Sequence, residues 1–134
     1  MAKILIIEDD TVLSRMYQRL ISSGENTVEV AYDGEEGLEK AKTGKPNFIL
    51  LDIMLPKLNG IEVLEKLKSD PTTKQIPVVM LSNLSEEEKE EEAMAKGAVK
   101  YIRKANSDPL QIGKMINEIL RNNPPKDVSQ KKEA

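Results

Sequence analysis

Four places in the chain carry residue types able to do chemistry: the acidic run Glu8, Asp9 and Asp10; Asp52, which closes the apolar string FILL; Ser82; and Lys104. The chain has no histidine and no cysteine, so imidazole bases, thiolate nucleophiles and cysteine metal sites are excluded. Chemistry then falls to carboxylates, hydroxyls, amines and a hard cation. Crowded carboxylates repel one another, and a cation relieves the repulsion. Mg²⁺ suits such a set, because it takes oxygen ligands, keeps several waters and is typically held by one or two carboxylates together with a phosphate. A carboxylate can also be the nucleophile, forming an aspartyl phosphate. A metal and a lysine would then stabilise charge on the transferring phosphoryl group while a hydroxyl donates to one of its oxygens. The phosphate-cradling pattern GxxxxGK[ST] is absent.

These residues act together only if the fold delivers them to one place. The chain is 134 residues long, 39% hydrophobic and 32% charged, which describes one domain with a single core. Short apolar runs recur at Ile4 to Ile7, Val28 to Ala31, Phe48 to Leu51, Val78 to Leu81 and Val99 to Ile102, giving five strand candidates. Between them lie stretches of helical spacing: Val12, Met16 and Leu20 in the first, about Gly34 to Lys42 in the second, and Ile61, Leu64 and Leu67 in the third. A fifth helix is expected over about Pro109 to Arg121, started by Asp108 before a proline at the first helical position. Strand alternating with helix, with strand runs apolar on both faces, predicts a parallel α/β sheet covered by helices on both sides. In open parallel sheets ligands bind at the carboxyl ends of the strands. Glu8 to Asp10, Asp52, Ser82 and Lys104 all follow strands in this reading. Each has a structural role available by itself; Asp10 or Thr11, for example, would cap the first helix.

The rest of the composition narrows the partners. A formal net charge of −3 and the lack of a Lys/Arg-rich run argue against nucleic acid, and no apolar stretch approaches the roughly 20 residues of a membrane span. The opening MAKILIIEDD is interrupted by acids too early for a signal peptide, so a cytoplasmic location is expected, with which the lack of cysteine agrees. SEEEKEEE at 85 to 92 reads as a solvated helix face with Ser85 and Glu88 spaced as a capping box. Residues 85 to 97 hold six Glu against two Lys, a net charge of −4. The segment from 122 to 134 loses the apolar period, contains two prolines and is expected to be a disordered tail behind a domain of residues 1 to 121.

The residues ILIIEDD, LDIMLPKLNG, VVMLS and YIRK together resemble the receiver domain of two-component response regulators, of the stand-alone chemotaxis type, over about residues 3 to 121. The resemblance implies a flavodoxin-like, doubly wound sheet of five parallel strands in the order 2-1-3-4-5, with helices 1 and 5 on one face and 2, 3 and 4 on the other. It implies that Asp52 is the phosphoacceptor, that Asp9 ligates Mg²⁺ directly with Glu8 acting through water, and that Met54 lends its backbone carbonyl to the metal. Ser82 becomes the switch hydroxyl, Lys104 the phosphoryl contact and Tyr101 the aromatic that changes rotamer. The donor would be a histidine kinase or phosphotransfer protein, which fits a chain with no histidine of its own. The output would be the surface of helix 4, strand 5 and helix 5, used for an effector or a phosphorelay, with the acidic residues Glu87 and Glu91 suiting a basic partner. Such a domain is not an enzyme beyond its own phosphorylation and dephosphorylation.

Two residues depart from that pattern. Ala105 follows Lys104 where the family usually has proline, often through a cis peptide, and a non-proline cis bond costs about 2.5–4 kcal/mol. Asn83 stands where a small residue usually follows the switch hydroxyl, and would narrow access to an acyl phosphate. The alternative readings are a phosphorylation-independent scaffold, a phosphatase of the haloacid dehalogenase type, which would want an aspartate where Met54 stands, and a flavin carrier, whose phosphate three acids after the first strand would repel.

Overall fold

A computed structural model describes residues 2–21, 26–82, 87–103 and 108–122. Five strands alternate with five helices: β1 (Lys3–Ile7), α1 (Thr11–Ile21), β2 (Thr27–Ala31), α2 (Gly34–Gly44), β3 (Phe48–Asp52), α3 (Gly60–Ser69), β4 (Val78–Ser82), α4 (Glu87–Ala95), β5 (Lys100–Arg103) and α5 (Pro109–Asn122). The strands are all parallel, in the order β2-β1-β3-β4-β5. This is the flavodoxin-like sheet expected from the sequence. Every residue of β3 and β4 is buried, as strands sandwiched between two helical layers must be. The edge strand β2 keeps Thr27 and Glu29 exposed. The fifth strand runs one residue later than expected, because Val99 is about half exposed just before it.

Each helix start has a local cause. Asp10 Oδ1 accepts from Val12 N and Leu13 N at 2.9 and 3.0 Å, so Asp10 caps α1. Asp33 caps α2 by accepting from Glu36 N at 2.8 Å, and Asn59 with Glu62 forms a full capping box on α3. Asp108 accepts from Gln111 N at 2.9 Å, so the cap read for the fifth helix is present. Ser85, the other capping residue read from the sequence, lies outside the described residues, as does the tail from 123 onward.

The sheet separates two cores. On one face Ile4, Ile6, Phe48 and Leu50 pack with Tyr17 and Ile21 of α1 and with Ile112, Ile116 and Leu120 of α5. On the other, Leu5, Ile7, Ile49 and Leu51 pack with Ala41 of α2, Ile61, Leu64 and Leu67 of α3, and Ala93 of α4. Full burial of such a Leu or Ile side chain contributes about 1.5–3 kcal/mol. The expected face of α1 is corrected here. Val12 and Met16 are exposed, whereas Ser14, Tyr17 and Ile21 are buried. The helix carries two adjacent apolar stripes, 12/16/20 and 13/17/21, both with helical period, and the period does not say which meets the sheet.

Candidate active site

The carboxyl edge of the sheet gathers the acids that the sequence placed after separate strands. Glu8 and Asp9 follow β1, and Asp52 ends the neighbouring strand β3, with Ile7 and Leu51 in register. One oxygen from each of Glu8, Asp9 and Asp52 lies within 4.8 Å of the others. Glu8 and Asp52 are buried, whereas Asp9 is exposed. The cluster is therefore a negatively charged cup with one open side. Hard oxygen donors so close together, with room left for water or a phosphate oxygen, fit a small divalent cation.

Backbone contacts hold these carboxylates in place. Glu8 N donates to Ala31 O at 3.0 Å, and Asp10 N donates to Glu8 Oε2 at 3.2 Å, so the first acidic turn is tied to β2 and to itself. Ile53 N donates to Leu81 O at 3.0 Å, which extends the β3–β4 pairing past Asp52. Met54 N donates to Asp52 Oδ1 at 3.2 Å, orienting the carboxylate, while the Met54 side chain is exposed at the rim.

The loop from Ile53 to Asn59 is closed by Gly60 N donating to Ile53 O at 2.7 Å. A Cβ on Gly60 would run into the carbonyl oxygen of Asp52 and come within 2.6 Å of Ile53 Cα. Only glycine lets the start of α3 approach the end of β3 so closely. Lys57 in this loop has φ +70, and its amine pairs with Asp33 at 3.5 Å, linking the loop to the cap of α2. The hydrogen bond from Glu36 N, and then the Lys57 charge, hold the Asp33 carboxyl below the usual carboxylate range despite some burial.

Two further expected residues lie along the same edge. Ser82 is fully buried at the end of β4, one residue beyond Leu81, the register partner of Asp52. Tyr101 is buried in β5, paired in register with Met80, and its hydroxyl has no hydrogen-bond partner among the described residues. Lys104, Asn83 and Ala105 lie outside the described residues; the peptide bonds described are all trans. Sequence reasoning did not assign Gly60 or Lys57 a role. Gly60 stood in the quoted LDIMLPKLNG, and a glycine at a helix start just after a strand-end acid was the available signal. Nothing local in the sequence marked the Lys57–Asp33 contact, whose partners are 24 positions apart.

Comparison with known proteins points to one family. A family profile described as the response regulator receiver domain matches residues 4–117. The alkaline phosphatase synthesis transcriptional regulatory protein PhoP of Bacillus subtilis is 37% identical over 119 residues, covering 89% of this chain and 48% of that protein. A CheY-like response regulator receiver domain protein from Methanospirillum hungatei superposes with a TM-score of 0.83 at 28% identity, covering 92% of this chain and 96% of that one. The Mn²⁺-bound form of response regulator Rcp1 superposes with a TM-score of 0.74 at 28% identity, covering 90% and 92%. This chain spans about half the length of the curated relatives it matches, 48% of PhoP and 57% of ArlR from Staphylococcus aureus.

Proposed function

Because the chain belongs to the response regulator receiver domain family of two-component signalling, we propose that Asp52 accepts a phosphoryl group from a phosphohistidine on a histidine kinase or phosphotransfer protein, with Mg²⁺ held by Glu8, Asp9 and Asp52. The observation that carries this reading is the cup of three carboxylates within 4.8 Å, one of them buried at a strand end. A buried nucleophile beside an exposed acid suits a reaction that needs one oxygen aimed and one open metal face. The bound metal supplies charge neutralisation between the entering phosphoryl oxygens and the carboxylates, and the Mn²⁺-bound neighbour supports that assignment.

An Asp52 oxygen attacks phosphorus; the new P–O bond forms as the donor's P–N bond breaks, and the departing imidazole takes a proton from water. Asp9 contacts the cation directly and Glu8 acts through water. The Met54 carbonyl completes the set. Ser82 donates to a phosphoryl oxygen and Lys104 pairs with another, each adding stabilisation where charge accumulates. Tyr101 follows Ser82, shifting a pre-existing balance of shapes on the α4–β5–α5 side.

The exposed stripe Val12, Met16 and Leu20, flanked by Arg15 and Arg19, begins two residues after the acidic run. We assign it to the phosphodonor protein, as an apolar contact with acidic residues around it. Met16→Asp should slow phosphotransfer from that donor at least tenfold and leave phosphorylation by a small-molecule donor unchanged; equal slowing of both would remove this surface from the account. The acidic face of α4 suits a partner with a basic patch, so Glu88→Lys with Glu91→Lys should weaken partner binding, and unchanged binding would contradict it. A stand-alone receiver is the reading favoured by near-complete coverage of the CheY-like relative.

The chemistry itself is tested by labelling with a radioactive small-molecule phosphodonor. The account expects a hydroxylamine-sensitive mark in the peptide containing Asp52, as an acyl phosphate gives. A hydroxylamine-stable mark, or one in the Ser82 peptide, would contradict it.

A further inference from the structure

We propose that α4 is a detachable helix, latched to the sheet by the Glu90–Arg103 pair and loosened by two unmatched donors beneath it. The starting point is how little apolar surface holds this helix. Among its described side chains only Ala93 is buried, while Glu88, Glu91 and Met94 are exposed. The other helices each bury several residues, five of them in α3. Hydrophobic burial, which fixes the rest of the molecule, is nearly missing here.

Ion pairs take its place. Arg103 Nη2 donates to Glu90 Oε1 at 2.9 Å, a charge-assisted bond from the last residue of β5 to the middle of α4. At the far end Lys96, just past the helix, pairs with Glu65 of α3 at 3.1 Å. Arg103 is only about one-third exposed, so its pair is less screened than an ordinary surface contact.

The ground under the helix works against docking. Tyr101 and Arg103, two apart in a strand, point to the same side of the sheet, and Tyr101 joins Ala93 and Ala98 in the core on that side. Tyr101 Oη and Arg103 Nε are both buried with no hydrogen-bond partner among the described residues. A buried donor without an acceptor destabilises the arrangement that buries it. One strong bond holding and two unmatched donors opposing leave the docked helix close to balance, as an element that must move requires.

Arg103 also sits in register with Ser82, one residue before Lys104. A change at the phosphoryl edge therefore reaches α4 through the residue that carries the latch. This coupling rests on the phosphoacceptor reading, whereas the latch stands on the unliganded chain.

The test is amide hydrogen exchange on the full chain, comparing native protein with Glu90→Gln and Tyr101→Phe, with and without Mg²⁺ and beryllofluoride as phosphoryl mimic. Without the mimic, Glu90→Gln should exchange residues 87 to 95 about three- to tenfold faster while β1 and β3 are unchanged, and Tyr101→Phe should slow the same residues. Native-like exchange of α4 in Glu90→Gln, faster exchange spread over the whole sheet, or no slowing in Tyr101→Phe would overturn the latch. With the mimic, the change in α4 exchange should be smaller in Glu90→Gln than in native protein; equal changes would remove the pair from the coupling. A chain in which the mimic alters nothing around Asp52 counts against the phosphoacceptor reading alone, because the unliganded comparison has already decided the latch.

Discussion

At Gly60 the backbone of α3 lies so close to Asp52 that a methyl group has nowhere to go. Gly60→Ala must push the end of β3 aside, which should cost about 1–3 kcal/mol in denaturant unfolding and misaim the Asp52 carboxylate. A variant of native stability would show that the loop can yield. Lys57 presents the complementary case, a side chain held at φ +70 where glycine rests more easily. Lys57→Gly and Lys57→Ala both lose the Asp33 pair, so their difference isolates the backbone. Gly should be the more stable by about 1 kcal/mol, and equal stabilities would contradict the strain. The acids, Asp52 and Ser82 were legible as types at strand ends, because a polar residue closing a buried run needs a reason. Which carboxylates would be buried was not legible: Glu8 is buried and Asp9 exposed, a difference set by the turn after β1 and its tie to β2.

Helix caps and helix faces divide what the elements disclose. The Asp10 and Asp108 caps could be read directly, since a short polar side chain must meet amides three residues on. The buried face of α1 could not, because two apolar stripes of equal period compete and the sheet chooses. Asp33 offers a test of cap against charge. Its carboxyl lies below the ordinary range, so the stability it contributes is present above the unfolded-state value of 3.8 and is lost as pH falls through the lower folded-state value. Asn caps as well as Asp but does not titrate. The melting-temperature advantage of native protein over Asp33→Asn should therefore be full above about pH 5 and shrink on acidification toward about pH 3. A pH-independent difference would mean that the Lys57 pair and the cap amide do not favour the charged form.

Across the whole molecule, alternation of strand and helix was enough to predict a parallel sheet with two helical layers, and the two cores bear that out. Strand order came from the resemblance, since periodicity says nothing about which strands are neighbours. The order matters for function. Placing β1 beside β3 is what brings Glu8 and Asp9 against Asp52, and placing β4 on the other side of β3 brings Ser82 to the same edge. Among the described residues no helix is long and apolar enough to cross a membrane. The central claim, that this edge makes Asp52 a metal-dependent phosphoacceptor, is tested most directly by intact-protein mass spectrometry after incubation with a small-molecule phosphodonor, with and without Mg²⁺, on the native chain and on Asp52→Ala. The account predicts a gain of one phosphoryl group that needs Mg²⁺ and is absent from Asp52→Ala. No gain under any condition, or an equal gain in the variant, would contradict it.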